Sequence, residues 1–194
     1  TLTVDALELK RSVAAPKAYC ELGFWGGVDA TNLGRLRPVW DAGVFGFKCF
    51  LSPSGVDEYG SLSYVQLKDA MEEIASFGGR LIIHSEDPTE LGAHAGHVGA
   101  SYRSFAESRP ASCEATAVER IMELVRRTGC RTHILHVSAA STVSVIAGAK
   151  ADGLSVTAET CPHYLTLDRD HIPAKGRAFK CCPPIRDIRG QDGL

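Results

Sequence analysis

Two hydrophobic rhythms alternate along the chain. Apolar residues three and four positions apart recur in TVDALELKRSVA, YVQLKDAMEEIASFGG, SCEATAVERIMELVRRTG and VSVIAGAKADG, the spacing that lines one face of a helix. Between them stand shorter runs rich in β-branched and aromatic residues, KAYCELGFWGGV, VFGFKCFL, RLIIHSED, RTHILHVS and LSVTAETCPHY, which read as strands. Thr3 or Asp5 opens the first helix, and Gly78 and Gly79 stop the second. LGRLRPVWDAG reads as helical only in part, because Pro38 interrupts it. Residues 88–110 read as a long loop, and FKCCPPIRD as a strand end running into an extended turn fixed by Pro183 and Pro184. Helix followed by strand, four times over, is the pattern of a parallel sheet.

In parallel α/β folds the reactive groups gather at the carboxyl ends of the strands. Four of these strands have a nitrogen-bearing side chain at or near that end: Lys48 in VFGFKCFL, His84 closing RLIIH, His136 closing HILH, and His163 after AETCP. Lys48 poses the sharpest question, since an ammonium on an apolar strand must reach water along its own stem, meet a carboxylate, or be chemically changed. His84 and His136 occupy equivalent places in successive units, and neutral imidazole is the commonest metal ligand, so the pair reads as metal-binding. His133 lies three positions from His136, on the opposite face of a strand, and reads as packing or surface. His94 and His97 read as solvated loop residues, because the glycine in AHAGH supports no helix, and His171 reads as surface. Glu86 and Asp87 are either acceptors behind a ligand imidazole or solvated loop residues. Glu159 faces the sheet interior or pairs with a helix.

Composition narrows the function classes. The 194 residues are 44% hydrophobic and 23% charged, with a formal net charge of −2. That is an ordinary globular mixture with no basic field to attract nucleic acid. No apolar run is long enough to span a membrane and no signal segment opens the chain, which reads as cytoplasmic. Seven cysteines, an odd number without a CxxC pair, read as reduced thiols.

Seven blocks in order, GFWGG, GFKCFL with SGVDE, IIHSEDP, ESRPASCEATAVERI, HILHVSAA, AETCPHYLTL and FKCCPPIRD, resemble the allantoinase family. That family belongs to the cyclic amidohydrolase branch, with dihydropyrimidinase (hydantoinase) and dihydroorotase. The resemblance covers essentially the whole chain. It implies a partial (β/α)8 TIM-type barrel of about four to five βα units, with residues 1–194 as the central segment of a single barrel domain lacking both ends. By resemblance Lys48 carries a carbon dioxide-derived carbamate and bridges two divalent ions, most simply zinc, with iron, cobalt or manganese as alternatives. His84 and His136 are then imidazole ligands, and Cys182 stands where the family's backbone contacts the substrate ring. The implied reaction opens the cyclic amide of allantoin to give allantoate, in a homotetramer. The family's His-x-His ligand pair and its catalytic aspartate have no counterpart here, so no catalytic residue is assigned within the chain.

Other readings remain beside this one. A hydantoinase or dihydropyrimidinase is expected to carry a tyrosine five residues after the bridging lysine, where this chain has Pro53. A Schiff-base aldolase would use Lys48 as an amine nucleophile and need no metal. A non-catalytic scaffold is expected to have lost Lys48, His84 or His136, and all three are present.

Overall fold

A computed structural model describes residues 1–97, 99 and 101–194. In chain order the elements are α1 (Val4–Ala14), β1 (Gly26–Gly27), α2 (Arg37–Asp41), β2 (Phe47–Phe50), α3 (Tyr64–Ser76), β3 (Arg80–His84), α4 (Pro88–His94), α5 (Tyr102–Glu107), α6 (Ala111–Thr128), β4 (Arg131–Ile134), α7 (Ser141–Ala151), β5 (Val156–Ala158), α8 (Pro162–Thr166) and α9 (Ile188–Asp192). The strands form one five-stranded sheet in sequence order, and β1–β2 and β2–β3 pair in parallel. Parallel pairing is what the helix–strand alternation predicts, and the strand order fits the partial (β/α) barrel that the resemblance implies. The chain divides into two compact units, Thr1–His84 with Leu124–His133, and Ser85–Glu123 with Ile134–Leu194.

In the first unit, α3 shows how the sequence sets an element. Ser63 accepts from the amide of Gln66 while the Gln66 side chain accepts from the amide of Ser63, a reciprocal cap that satisfies two otherwise orphaned donors. Leu67, Ala70, Met71 and Ile74, spaced for one helical face, are fully buried. Gly78, at φ 70°, adopts the left-handed turn that ends the helix. Glu73, on the same helix, accepts from the amides of Gly34 and Leu36, both at 2.7 Å, and so ties α3 to the turn before α2. Phe47 and Cys49 of β2 and Leu81 and Ile83 of β3 are completely buried on one face of the sheet.

In the second unit, Tyr102, Ala106, Tyr164 and Ile185 form a core cluster. Its two phenols also bind backbone: Tyr102 accepts from the amide of Ile185 at 2.9 Å, and Tyr164 donates to the carbonyl of Pro183 at 2.7 Å. The segment after the Pro-Pro turn is thus fixed by side chains from two helices.

Several boundaries depart from the sequence reading. Pro38 starts α2 instead of interrupting it, because a proline in the first turn lacks only an amide that has no helical partner. The strand expected in KAYCELGFWGGV shrinks to Gly26–Gly27, since residues 18–23 are exposed. Residues 88–110 hold two helices: Asp87 caps α4 by accepting from the amides of Thr89 and Glu90, and Ser101 caps α5. His94 therefore closes a helix, its Nδ1 lying 2.8 Å from the carbonyl of Glu90. The side chain of His97 is outside the described residues. LSVTAETCPHY is strand only over Val156–Ala158, and Pro162 opens α8 with His163 in its first turn. FKCCPPIRD carries no strand; a 3-10 turn at Arg177–Phe179 precedes it.

Candidate active site

In the first unit the pleat sorts side chains by chemistry. Lys48 stands beside Ile82 and Phe50 beside His84 across the parallel ladder, so these four share the face opposite Phe47, Cys49, Leu81 and Ile83. The Lys48 ammonium lies 4.4 Å from the centroid of the Phe50 ring, and that ring lies 5.4 Å from the His84 imidazole. Lys48 is half-buried and His84 is buried. A lysine and an imidazole on neighbouring strands thus share one face across an aromatic ring. Behind them, burial pushes the Cys49 thiol up to about 12, so this residue stays protonated and serves packing.

The main chain at Lys48 is held twice. Its carbonyl accepts from the Val28 amide at 2.9 Å and from the Tyr59 hydroxyl, and that hydroxyl also accepts from the Val28 amide at 3.1 Å. Burial holds the Tyr59 phenol well above its ordinary pKa, so the proton it donates is retained. A side chain at Gly27 would come within 2.5 Å of the Tyr59 ring, which accounts for the glycines of GFWGGV better than a bare loop does. Tyr59→Phe is expected to cost about 1–2 kcal/mol, the scale for deleting one partner of a part-buried hydrogen bond. Denaturant unfolding measures it, and an unchanged midpoint would show that the hydroxyl does not hold the strand.

In the second unit, His136 lies two residues beyond β4 with φ 40°, the only non-glycine residue with positive φ among those described. Strand alternation therefore does not set its direction. The three amides that follow are all tied: Val137 donates to the carbonyl of Glu159 at 2.8 Å, Ser138 to Glu114 at 2.9 Å and Ala139 to Glu114 at 3.3 Å. Glu114 is buried and also accepts from the Ser138 hydroxyl and, at 2.7 Å, from Arg186. Arg186 donates further to the Ser138 hydroxyl at 3.1 Å and to the carbonyl of Arg109. Sequence reasoning missed both Glu114 and Arg186.

Glu86 and Asp87 are not solvated: both are buried, Glu86 paired with Arg109 at 2.6 Å and Asp87 with Arg120 at 3.4 Å. Cys182 is exposed, and its peptide bond to Pro183 is cis. His163 packs its ring 4.2 Å from Tyr164, and its buried Nε2 has no hydrogen-bond partner among the described residues. Glu159 is exposed, His133 is half-buried, and His171 is exposed with Nδ1 2.8 Å from Asp168. All seven cysteines are free. Among the described residues, no three His, Cys, Asp or Glu side chains gather closely enough to hold an ion by themselves, and no helix is long and apolar enough to cross a membrane.

Comparison with known proteins agrees with this architecture. The chain is 51% identical over 194 residues to an allantoinase of Streptomyces avermitilis, covering all of this chain and 44% of that protein. It is 39% identical over 196 residues to a mitochondrial allantoinase of Aquarana catesbeiana, covering all of this chain and 40% of that one. Its backbone superposes on the L-hydantoinase (dihydropyrimidinase) of Arthrobacter aurescens with a TM-score of 0.94 at 29% identity, over 100% of this chain and 44% of that structure. No family model matches. The chain thus spans less than half the length of these relatives. Over the length it spans, the chain is similar in sequence to the allantoinases and in backbone to a hydantoinase.

Proposed function

We propose that the full-length protein hydrolyses the cyclic amide of allantoin to allantoate at a binuclear metal centre. The observation that carries this reading is the 51% identity to an allantoinase along the whole chain, with Lys48, His84 and His136 all retained. In this reading Lys48 carries a carbamate and bridges two divalent ions, zinc being the simplest choice, and His84 and His136 are imidazole ligands. The donor set fits such ions: Lys48 and His84 share one face, a carbamate is anionic, and imidazole and carboxylate-type oxygens suit first-row divalent metals. When bound, such ions supply positive charge that polarises an amide carbonyl and lowers the pKa of water towards about 7.

The chain's own residues have defined tasks around that chemistry. Carbamate formation turns a cation on a half-buried strand face into an anion that a metal can hold, which answers the question posed by Lys48 in VFGFKCFL. The Phe50 ring, 4.4 Å from the Lys48 ammonium and 5.4 Å from the His84 imidazole, gives both side chains an aromatic neighbour on that face. The backbone of the Cys182–Pro183 turn, fixed by Tyr164 and Tyr102, offers the substrate ring a rigid edge. The proton-transferring aspartate that the resemblance implies has no counterpart in these residues. Cytoplasmic placement suits seven unpaired thiols, and a homotetramer is the assembly that the resemblance implies.

A hydantoinase reading draws support from the backbone match of TM-score 0.94. Pro53, exposed and five residues after Lys48, weighs against it because that reading calls for a phenol there. Elemental analysis of the full-length protein, with turnover of allantoin, hydantoin and dihydrouracil, tests the proposal. Close to two ions per chain and a clear preference for allantoin are expected. A metal-free protein that forms a borohydride-trapped adduct at Lys48 would overturn it in favour of imine chemistry.

A further inference from the structure

His136 is held at a positive φ that non-glycine residues rarely adopt and that persists only where the surroundings over-determine it. The surroundings here are specific. One carboxylate, Glu114 of α6, receives the amides of Ser138 and Ala139 and the hydroxyl of Ser138. One guanidinium, Arg186, binds that carboxylate, the same hydroxyl and the carbonyl of Arg109. Arg186 lies four residues beyond Cys182, past the turn whose Pro183 carbonyl and Ile185 amide are bound by Tyr164 and Tyr102. The loop behind the imidazole and the turn that would meet the substrate are therefore joined through one buried ion pair.

We infer that Glu114 and Arg186 are positioning residues, which hold the His136 loop and the Cys182–Pro184 turn in one registration so that the ion-binding imidazole and the ring-contacting backbone stay matched. The argument is geometric. A lysine at 186 would keep the charge but not the planar fork that reaches three acceptors on three segments. A glutamine at 114 would keep the shape but place an amide donor where the loop also donates. This inference rests on the reading of His136 as a metal ligand and Cys182 as a substrate contact, and it adds the residues that couple them.

The test uses the full-length protein with Glu114→Gln, Arg186→Lys and the double change Glu114→Met with Arg186→Met. The double variant leaves neither charge alone, but it takes the acceptor from the buried amides of Ser138 and Ala139, so Arg186→Lys, which keeps Glu114, is the variant that separates folding from positioning. Arg186→Lys is expected to melt close to the wild-type temperature, yet to show a KM for allantoin raised by about 10- to 100-fold and metal lost faster to a chelator, the scale for residues that orient metal ligands. The double variant should show the same two changes and melt at a lower temperature as well. A double variant with wild-type KM and wild-type metal retention would overturn the inference. Should the double variant fail to fold, Glu114→Gln decides by the same two readings, and an unchanged KM and metal retention there would sink the idea equally. Wild-type protein that holds two ions but opens no cyclic ureide would defeat the proposed function instead, while metal retention would still report on the clamp.

Discussion

Lys48→Ala in the full-length protein is expected to lose most of its bound metal and about a thousandfold or more of its activity, the scale seen when a group acting at the reacting centre is removed. The fold should be nearly untouched, because Lys48 is half-buried on a face whose packing comes from Phe50 and Ile82. Arginine or glutamine at this position should fail as completely as alanine, since neither can carry a carbamate. That equality separates a bridging role from a simple need for positive charge or bulk. His84→Ala and His136→Ala should follow the same pattern, with severe loss of activity and a small change in melting. Measurement of metal per chain, turnover and thermal unfolding on the same samples checks all three. Retention of both metal and activity in Lys48→Ala would remove the carbamate from the mechanism.

Arg109→Met should give the largest loss of stability among single changes near the site, about 3 kcal/mol. Glu86 is completely buried and Arg109 approaches it at 2.6 Å. Removing the cation leaves its buried carboxylate without that charge partner. The expected cost lies at the lower end of the range for breaking a buried pair, because the Arg109 side chain is 22% exposed. Adding Glu86→Gln to Arg109→Met should recover much of the loss, since a neutral amide is cheaper to bury than a carboxylate. Denaturant unfolding with unchanged slope measures both variants. A double variant no more stable than Arg109→Met would show that packing of the arginine stem, rather than charge, is what the fold loses.

The sequence carried much of this design, unevenly. Local rules sufficed where an element answers to its own residues: Ser63 with Gln66, the buried stripe of α3 and Gly78 at its end are all legible in one stretch of chain. They misled where two local rules compete. The glycine in AHAGH, Gly96, argues against a helix, yet Asp87 and Pro88 start one that ends at His94, before that glycine, so the start signal lay upstream of the residues that were weighed. Likewise Pro38 was read as a break, and its place within the first turn made it a beginning. Lys48 and His84 were legible as chemistry because each interrupts an apolar run. Glu114 and Arg186 were not, because an acidic residue in a helix's first turn is common in its own right and nothing there or after a Pro-Pro turn marks a pair 72 residues apart in sequence. Whether Glu86 and Asp87 were buried depended on Arg109 and Arg120, which the sequence alone could not pair with them. His136 lay outside the alternation rule once β4 ended at Ile134.

The ladder between β2 and β3 fixes Phe47 to Leu81, Lys48 to Ile82, Cys49 to Ile83 and Phe50 to His84. Because side chains on a strand repeat every two residues, a shift of one position would turn Lys48 into the apolar layer and bring Cys49 to the face that carries His84. The segment between α2 and β2 is thus constrained in length more strictly than in composition. Substitutions at Phe45, which is exposed, should pass, whereas a one-residue change of register would put Cys49 or Phe47 at the point of the sheet that Lys48 holds. Across homologous chains, gaps should be excluded from this segment and should first become admissible beyond Ser52.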